Sequence, residues 1–501
     1  MEKITKLIKS LSNRETQLYY KYAELSGKKK NNLKLNLFKI ARDNPEVSDI
    51  EAAQILGKTP GPSFSMLKSR LYHDILKVLA VDFDRSKFYS KSIWASHSIH
   101  QMMTVYYILE TRNLAEQSYE LLRKVDQLAR QYEFPTINVL VNEIMINSKP
   151  IMKGPVIYER FKKNIFNDIQ LQTESIVAQD YFKQMLVPKL YNANKSKTDI
   201  ELAKTATENL GALIKKNPSV RIAFFYLRSQ IEYTELTQDF NANLKYALEL
   251  LQLVSNNPVI RFIDNLGGAH LIVGLAHLHL GNFDKAIEYS LITSQYFFKE
   301  SSNSLTQKGV IFCAYLGKKD LSSAADIVNS ARSLKSVRRG SFNYSRWVYY
   351  DANIQFLKND YKGALHLLNR YSFLKSDRSG WRLGYKILEM MCIVELHHYD
   401  WLPYRLETFR KLLGDIKKEN TARPKLMQKM LNRLVKENFN FEVTTEKMRA
   451  ELELLQSNTG EYYCYPLGYE VIRFDVWWAG KLKPEASPAP LQKRSKRNIK
   501  D

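Results

Sequence analysis

The stretch KSVRRGSFNYSRWVYY, residues 335–350, sets Lys335, Arg338, Arg339 and Arg346 among Phe342, Tyr344 and Trp347. Guanidinium groups grip carboxylates or phosphates through paired hydrogen bonds, and an ammonium adds a point charge. Aromatic rings supply rigid contact area. Such a mixture recognises anions; it does not break bonds. The residue types that do break bonds occur without the spacing they need. His270, His277 and His279 share one expected helix, but side chains two apart point to different faces. Cys392 and His397 lie five apart and share no ligand face, and Cys313, Cys392 and Cys464 form no CxxC pair. Neither a phosphate loop, a GxSxG elbow, an HExxH zinc helix nor a dinucleotide glycine fingerprint occurs. The expectation is therefore a non-enzymatic chain with no catalytic residue, metal, cofactor or small-molecule substrate.

The elements that carry these side chains are expected to be helical. Residues of apolar type make up 45% of the 501 and charged ones 25%, the balance of a folded soluble chain. Glycine at 19 and proline at 15 are too few for the many tight turns of a large β protein. A length of 501 residues exceeds one compact core, so several domains or an elongated repeat are expected. The net charge of +23 makes nucleic acid, anionic surfaces and acidic proteins plausible partners. Part of that excess sits in GKKK at 27–30 and KRSKRNIK near the C-terminus. Unpaired cysteines suit a reducing compartment. With no secretory signal and no apolar run of spanning length, the expected location is cytoplasmic.

One pattern recurs through the second half: Asp or Asn, then a large apolar residue, usually with a small residue three places further on. It occurs at Asp199-Ile200 with Ala203, Asp239-Phe240, Asn282-Phe283 with Ala286, Asp320-Leu321 with Ala324, Asp360-Tyr361 with Ala364, and Asp400-Trp401. Successive marks are 40, 43, 38, 40 and 40 residues apart. Fixed spacing in this range indicates stacked helical hairpins. Asp and Asn accept hydrogen bonds from free N–H groups at a helix start, so each mark is expected to cap the second helix of a pair. The alanine then lies one turn in, where a small side chain lets two helices approach. Asn113-Leu114 is expected to play the same part between two earlier helices, and Gly154-Pro155 to break two more.

The segment AHLIVGLAHLHLGNFDKAIEYSLITSQYF, residues 269–297, resembles a tetratricopeptide repeat through Gly274, Gly281, Phe283 and Ala286. ANIQFLKNDYKGALHLL, residues 352–368, is similar through Ala352, Tyr361 and Ala364. The resemblance is clearest over 198–413, although the period exceeds the family's usual length of about 34 residues. It implies an all-α fold: a right-handed α-solenoid of helical hairpins whose concave groove is lined by the first helix of each pair. It also implies that Arg346, Tyr349 and Asn353 face that groove, with Lys386 and Glu389 one unit on and Arg228 three units before. Such a groove suits acidic side chains or the C-terminal carboxylate of a peptide.

The ends differ from the repeat. DIEAAQILGKTPGPSFSMLKSRLYHDIL, residues 49–76, has the small residues and glycine of a helix-turn-helix and a basic second helix carrying Lys68 and Arg70. That second helix resembles DNA-binding regions of sigma-factor type. KTPGPSFSM, however, lengthens the turn beyond what that motif allows, so a winged-helix-like or simple helical cap is the alternative. Near the other end, Tyr462, Tyr463, Tyr465, Tyr469, Trp477 and Trp478 cluster in a segment expected to be irregular or a short β-element, closing the last apolar face. The expected domains are a helical N-terminal domain (1–85), a tetratricopeptide-like solenoid (86–440), a capping region (441–482) and a disordered basic tail (483–501). The expected function is a scaffold that binds an acidic protein or peptide, and the alternative is a nucleic-acid-associated regulator using Lys68, Arg70 and the basic surface.

Overall fold

The computed structural model describes residues 1–26, 32–81, 90–148, 154–191, 197–370, 380–415 and 421–482. Among them are twenty-four α-helices, three short 3-10 turns and no strand. The basic runs at 27–30 and near the C-terminus, and the tail 483–501, lie outside the described residues. No described helix is long and apolar enough to cross a membrane. Contacts divide the chain into two compact units, residues 1–172 with 261–263 and residues 173–260 with 264–501.

The first unit begins with α1 (Glu2–Ser10), α2 (Asn13–Ser26), α3 (Leu33–Asp43), α4 (Asp49–Ile55) and α5 (Pro62–Val81). Leu37, Phe38, Ala52, Ala53, Leu71 and Ile75 close their common core. α6 (Lys91–Thr111), α7 (Ala115–Gln131) and α8 (Pro135–Ser148) share a separate core around Ile99, Val125 and Val141. The long α9 (Pro155–Tyr191) opens after Gly154, whose φ of 90° makes the expected break. α4 starts with a capping box: the Glu51 amide donates to Ser48 Oγ at 3.2 Å, and the Ser48 amide donates to the Glu51 carboxylate at 2.9 Å.

The second unit continues with α10 (Lys197–Lys216), α11 (Val220–Leu236), α12 (Phe240–Asn256), α13 (Ile263–His279), α14 (Phe283–Ile292), α15 (Ser302–Gly317), α16 (Leu321–Arg332), α17 (Phe342–Leu357), α18 (Tyr361–Arg370), α19 (Trp381–Glu395), α20 (Leu402–Asp415) and α21 (Ala422–Lys436). Each packs mostly against its neighbours in sequence. Three short helices finish the unit: α22 (Phe441–Lys447), α23 (Arg449–Ser457) and α24 (Phe474–Gly480).

The repeated mark has two jobs in one residue. The backbone N–H of Asp239 donates to the Thr234 carbonyl at 2.9 Å, closing α11, while its carboxylate accepts from the Ala242 amide at 3.0 Å and opens α12. Asp320 repeats this with the Tyr315 carbonyl and the Ser323 amide, both at 3.0 Å. Asp360 does so with the Gln355 carbonyl and the Gly363 amide, both at 2.9 Å. The residue before each mark takes the left-handed backbone that this six-residue closure requires: Gln238 at φ 62°, Gly281 at 75°, Lys319 at 61° and Asn359 at 61°. Ala203, Ala286, Ala324 and Ala364 are completely buried. In the Asp239 unit that position is Asn243, whose amide donates to the Ile231 carbonyl at 2.7 Å.

Four local expectations change. Asp199 lies inside the first turn of α10 and not ahead of it. Asp400 sits within a 3-10 turn, Tyr399–Trp401, because the preceding helix is already closed by the His398 amide on the Ile393 carbonyl. Asn113 takes the left-handed position at φ 59°, and Leu114 occupies the cap without a side-chain bond. Asn282 caps α14 by position only; its amide faces the His277 ring nitrogen at 3.4 Å.

Candidate binding site

Residues 458–482 contain no strand, and they do more than close the final helices. They run back across the first helix of pair after pair. The Gln238 side chain at the end of α11 donates to the Gly460 carbonyl and accepts from the Gly460 amide, both at 2.8 Å. His279, the last residue of α13, meets the Tyr463 hydroxyl at 2.9 Å, with Phe240 stacked on its ring at 4.5 Å. Cys313 on α15 donates to the Pro466 carbonyl at 3.1 Å. Tyr349 on α17 donates to the Tyr469 carbonyl at 2.7 Å. On α19, Gly384 lets the same carbonyl approach so closely that a Cβ there would stand 1.9 Å from it. Most of these contacts address the backbone of the extended segment and not its side chains.

The anchor is Arg423 on α21, only 3% exposed. Its guanidinium donates to Glu470 through Nε at 2.5 Å and Nη2 at 2.8 Å, and Nη2 also donates to Asp475. Nη1 donates to the carbonyls of Leu455 at 2.8 Å and Tyr462 at 3.0 Å. Burial alone would lower its pKa, but the Glu470 and Asp475 hydrogen bonds and charge hold it well above the ordinary arginine value. Trp477 donates to Glu395 at 2.6 Å and Trp478 to Thr445 at 2.9 Å, so these two indoles are interior framework, while Tyr462, Tyr463, Tyr465 and Tyr469 are half-buried.

The six residues expected along the groove are therefore in different situations. Tyr349 and Asn353 are buried, the first bonded to the C-terminal segment and the second to the Tyr349 carbonyl at 2.8 Å. Lys386 is engaged with the buried Glu389 at 2.7 Å, which also pairs with Arg405 at 3.2 Å. Arg346 lies over Trp347 and Trp381, 5.8 and 6.0 Å from their centroids, with Nε making no hydrogen bond. The aromatics beside it are core: Trp347 and Tyr350 are sealed from solvent, and Tyr350 stacks on Phe312 at 4.4 Å. Lys335, Arg338 and Arg339, between α16 and α17, are exposed.

Arg228 lines a cavity of about 330 Å³ together with Ile231, Glu232, Glu235, Ile272, Leu275 and Leu467. Its guanidinium carbon lies 5.0 Å from the Phe182 ring centroid, and its Nε makes no hydrogen bond. Burial pulls its pKa below the ordinary value, with the Glu232 charge acting the other way. The cavity, and the reach of the C-terminal segment beyond the last apolar face as far as Gln238, are absent from the sequence expectations. Their only sequence signal is the tyrosine-rich run 462–469, which does not say which helices it touches.

The remaining candidates separate too. Lys68 is ion-paired with Asp49, which also receives the N-terminal ammonium, whereas Arg70 is exposed. α5 begins at Pro62, so residues 62–66 are its first turn and the link from α4 is shorter than the sequence suggests. His270 stacks on Tyr296 at 5.9 Å and His277 on Tyr289 at 5.6 Å, while His279 faces Phe240 and Tyr463, so the three histidines share no ligand position. Burial pushes the Cys313 thiol up to about 12, and those of Cys392 and Cys464 are also raised, so none is activated as a nucleophile. No protein-family model matches this chain, and no curated protein matches it either.

Proposed function

We propose that this is a non-enzymatic, cytoplasmic binding protein with a right-handed, tetratricopeptide-like solenoid, and that its partner is an extended acidic protein segment. The observation that supports it is the row of contacts from Gln238, His279, Cys313, Tyr349 and Arg423 to residues 460–470. Successive first helices already hold an extended chain, chiefly by its backbone, which is how such a surface accepts a peptide of varied sequence. Acidity of the partner is supported by Lys335, Arg338 and Arg339, all exposed in the stretch that precedes α17.

The test is fluorescence polarisation with a labelled glutamate-rich peptide and its glutamine counterpart. The glutamate peptide should bind more tightly, and joint reversal of Lys335→Glu, Arg338→Glu and Arg339→Glu should remove the preference. Equal affinity for both peptides, or indifference to the reversal, sinks the reading. In the nucleic-acid alternative Lys68 already pairs with Asp49, whereas Arg70 is exposed. That alternative requires affinity that falls steeply as salt rises and that Arg70→Glu weakens.

A further inference from the structure

We infer that α9 pairs, antiparallel, with the same helix of a second copy of this chain through its solvent-facing side. The helix runs from Pro155 to Tyr191 and carries apolar residues on two opposite faces. One face is used inside the chain: Ala178, Phe182 and Met185 are buried, along with Asp168 and Glu174. On the opposite face Phe166 is 63% exposed and Ile176 59%, and Ile169 and Val187 are exposed as well. A helix that is apolar on two faces needs two partners, and the described residues bury one face. Large apolar side chains gathered on one exposed surface mark an interaction site.

The spacing indicates what fits there. Phe166, Ile169, Thr173, Ile176, Asp180 and Lys183 follow one another at alternating steps of three and four residues. Glu159 and Lys162 continue the same alternation toward the start of the helix. That is the heptad seam along which two helices wind together. From Glu159 to Lys183 it is about 36 Å long at 1.5 Å per residue, and all of it lies on one continuous helix.

Charge selects a second copy as the occupant and fixes its direction. With two copies turned end for end about position 171, Phe166 of one meets Ile176 of the other, and Ile169 meets Thr173. Farther out, Lys162 meets Asp180 and Glu159 meets Lys183, opposite charges each time. Every such pairing occurs twice, as a two-fold axis requires. The result is an apolar centre with a charged rim, the usual anatomy of an interface. A parallel pairing would instead set Lys162 on Lys162, Asp180 on Asp180 and Lys183 on Lys183, like charge against like. Within one copy Lys162 reaches Glu159 along the helix at 3.5 Å, and Asp180 accepts from the Gln184 amide at 2.6 Å. All four charged residues of the seam are nevertheless exposed.

This inference is independent of the peptide reading, which uses none of these residues. The experiment is sedimentation equilibrium of the full chain from about 1 to 100 µM. The chain should be dimeric at the upper end. Ile176→Glu should weaken association by at least about tenfold, since a charge replaces a central apolar contact. Asp180→Lys should weaken it too, and adding Lys162→Asp should recover the loss, because the opposed pair is then restored with its signs exchanged. Direction is read by disulfide formation: the double variant Phe166→Cys, Ile176→Cys should link position 166 of one copy to 176 of the other, identified by mass spectrometry of the joined peptides. Phe166→Cys alone should give no link between the two 166 positions. A chain that stays monomeric at 100 µM overturns the inference. So does a dimer indifferent to Ile176→Glu, which must use another face, an Asp180→Lys defect that Lys162→Asp does not relieve, or a 166-to-166 disulfide. Sedimentation of the unaltered chain remains decisive even if a variant fails to fold.

Discussion

Two arginines of the same unit, Arg423 and Arg228, meet opposite fates next to the C-terminal segment. Arg423 is surrounded by two carboxylates and two carbonyls, all within hydrogen-bond reach. Arg228 has an aromatic face, one nearby charge and an unbonded Nε. Burial acts to lower the pKa of both; it succeeds at Arg228 and is overridden at Arg423. Chemically identical residues therefore teach different lessons. A buried cation whose donors are satisfied inside the chain holds the architecture together, whereas one whose Nε finds no acceptor carries an uncompensated cost of burial.

That contrast breaks most readily at Arg423. Arg423→Met strands Glu470 as a buried charge and leaves Asp475 only Arg473, and should cost about 3–5 kcal/mol in chemical denaturation; a variant of unchanged stability would show the cluster to be dispensable. A smaller loss, about 1–3 kcal/mol from overpacking, is expected for Gly384→Ala, whose methyl meets the Tyr469 carbonyl at 1.9 Å. Hydrogen exchange should then quicken through residues 463–472 while the N-terminal unit keeps its protection. Smallest of all is Arg228→Met, where the midpoint should hold steady or rise, since an unpaired buried cation is exchanged for an apolar side chain. A destabilisation like that of Arg423→Met would erase the distinction between the two sites.

Legibility in the sequence followed the range of the interactions. The helix-pair marks at Asp239, Asp320 and Asp360 were readable because capping is settled by a carboxylate and an amide three residues away. Asp400 misled because the same residue type can fall inside a 3-10 turn once the preceding helix has closed two residues early. The basic-aromatic stretch 335–350 mixes two populations that look alike in sequence. Lys335, Arg338 and Arg339 reach solvent, while Trp347 and Tyr350 are core. Lys386 and Glu389 were both expected along the groove, but their pairing at 2.7 Å was not part of that expectation.

The sequence by itself determined the helical class, the near-40-residue recurrence and most of the turns, because these depend on periodicity and on hydrogen bonds within a few residues. Only the tertiary structure decided that Gly460 would meet Gln238, 222 positions away, or that Leu467 would wall a cavity containing Arg228. Contacts of that range depend on how every intervening helix is packed. No local pattern of residue types records the sum of those packings.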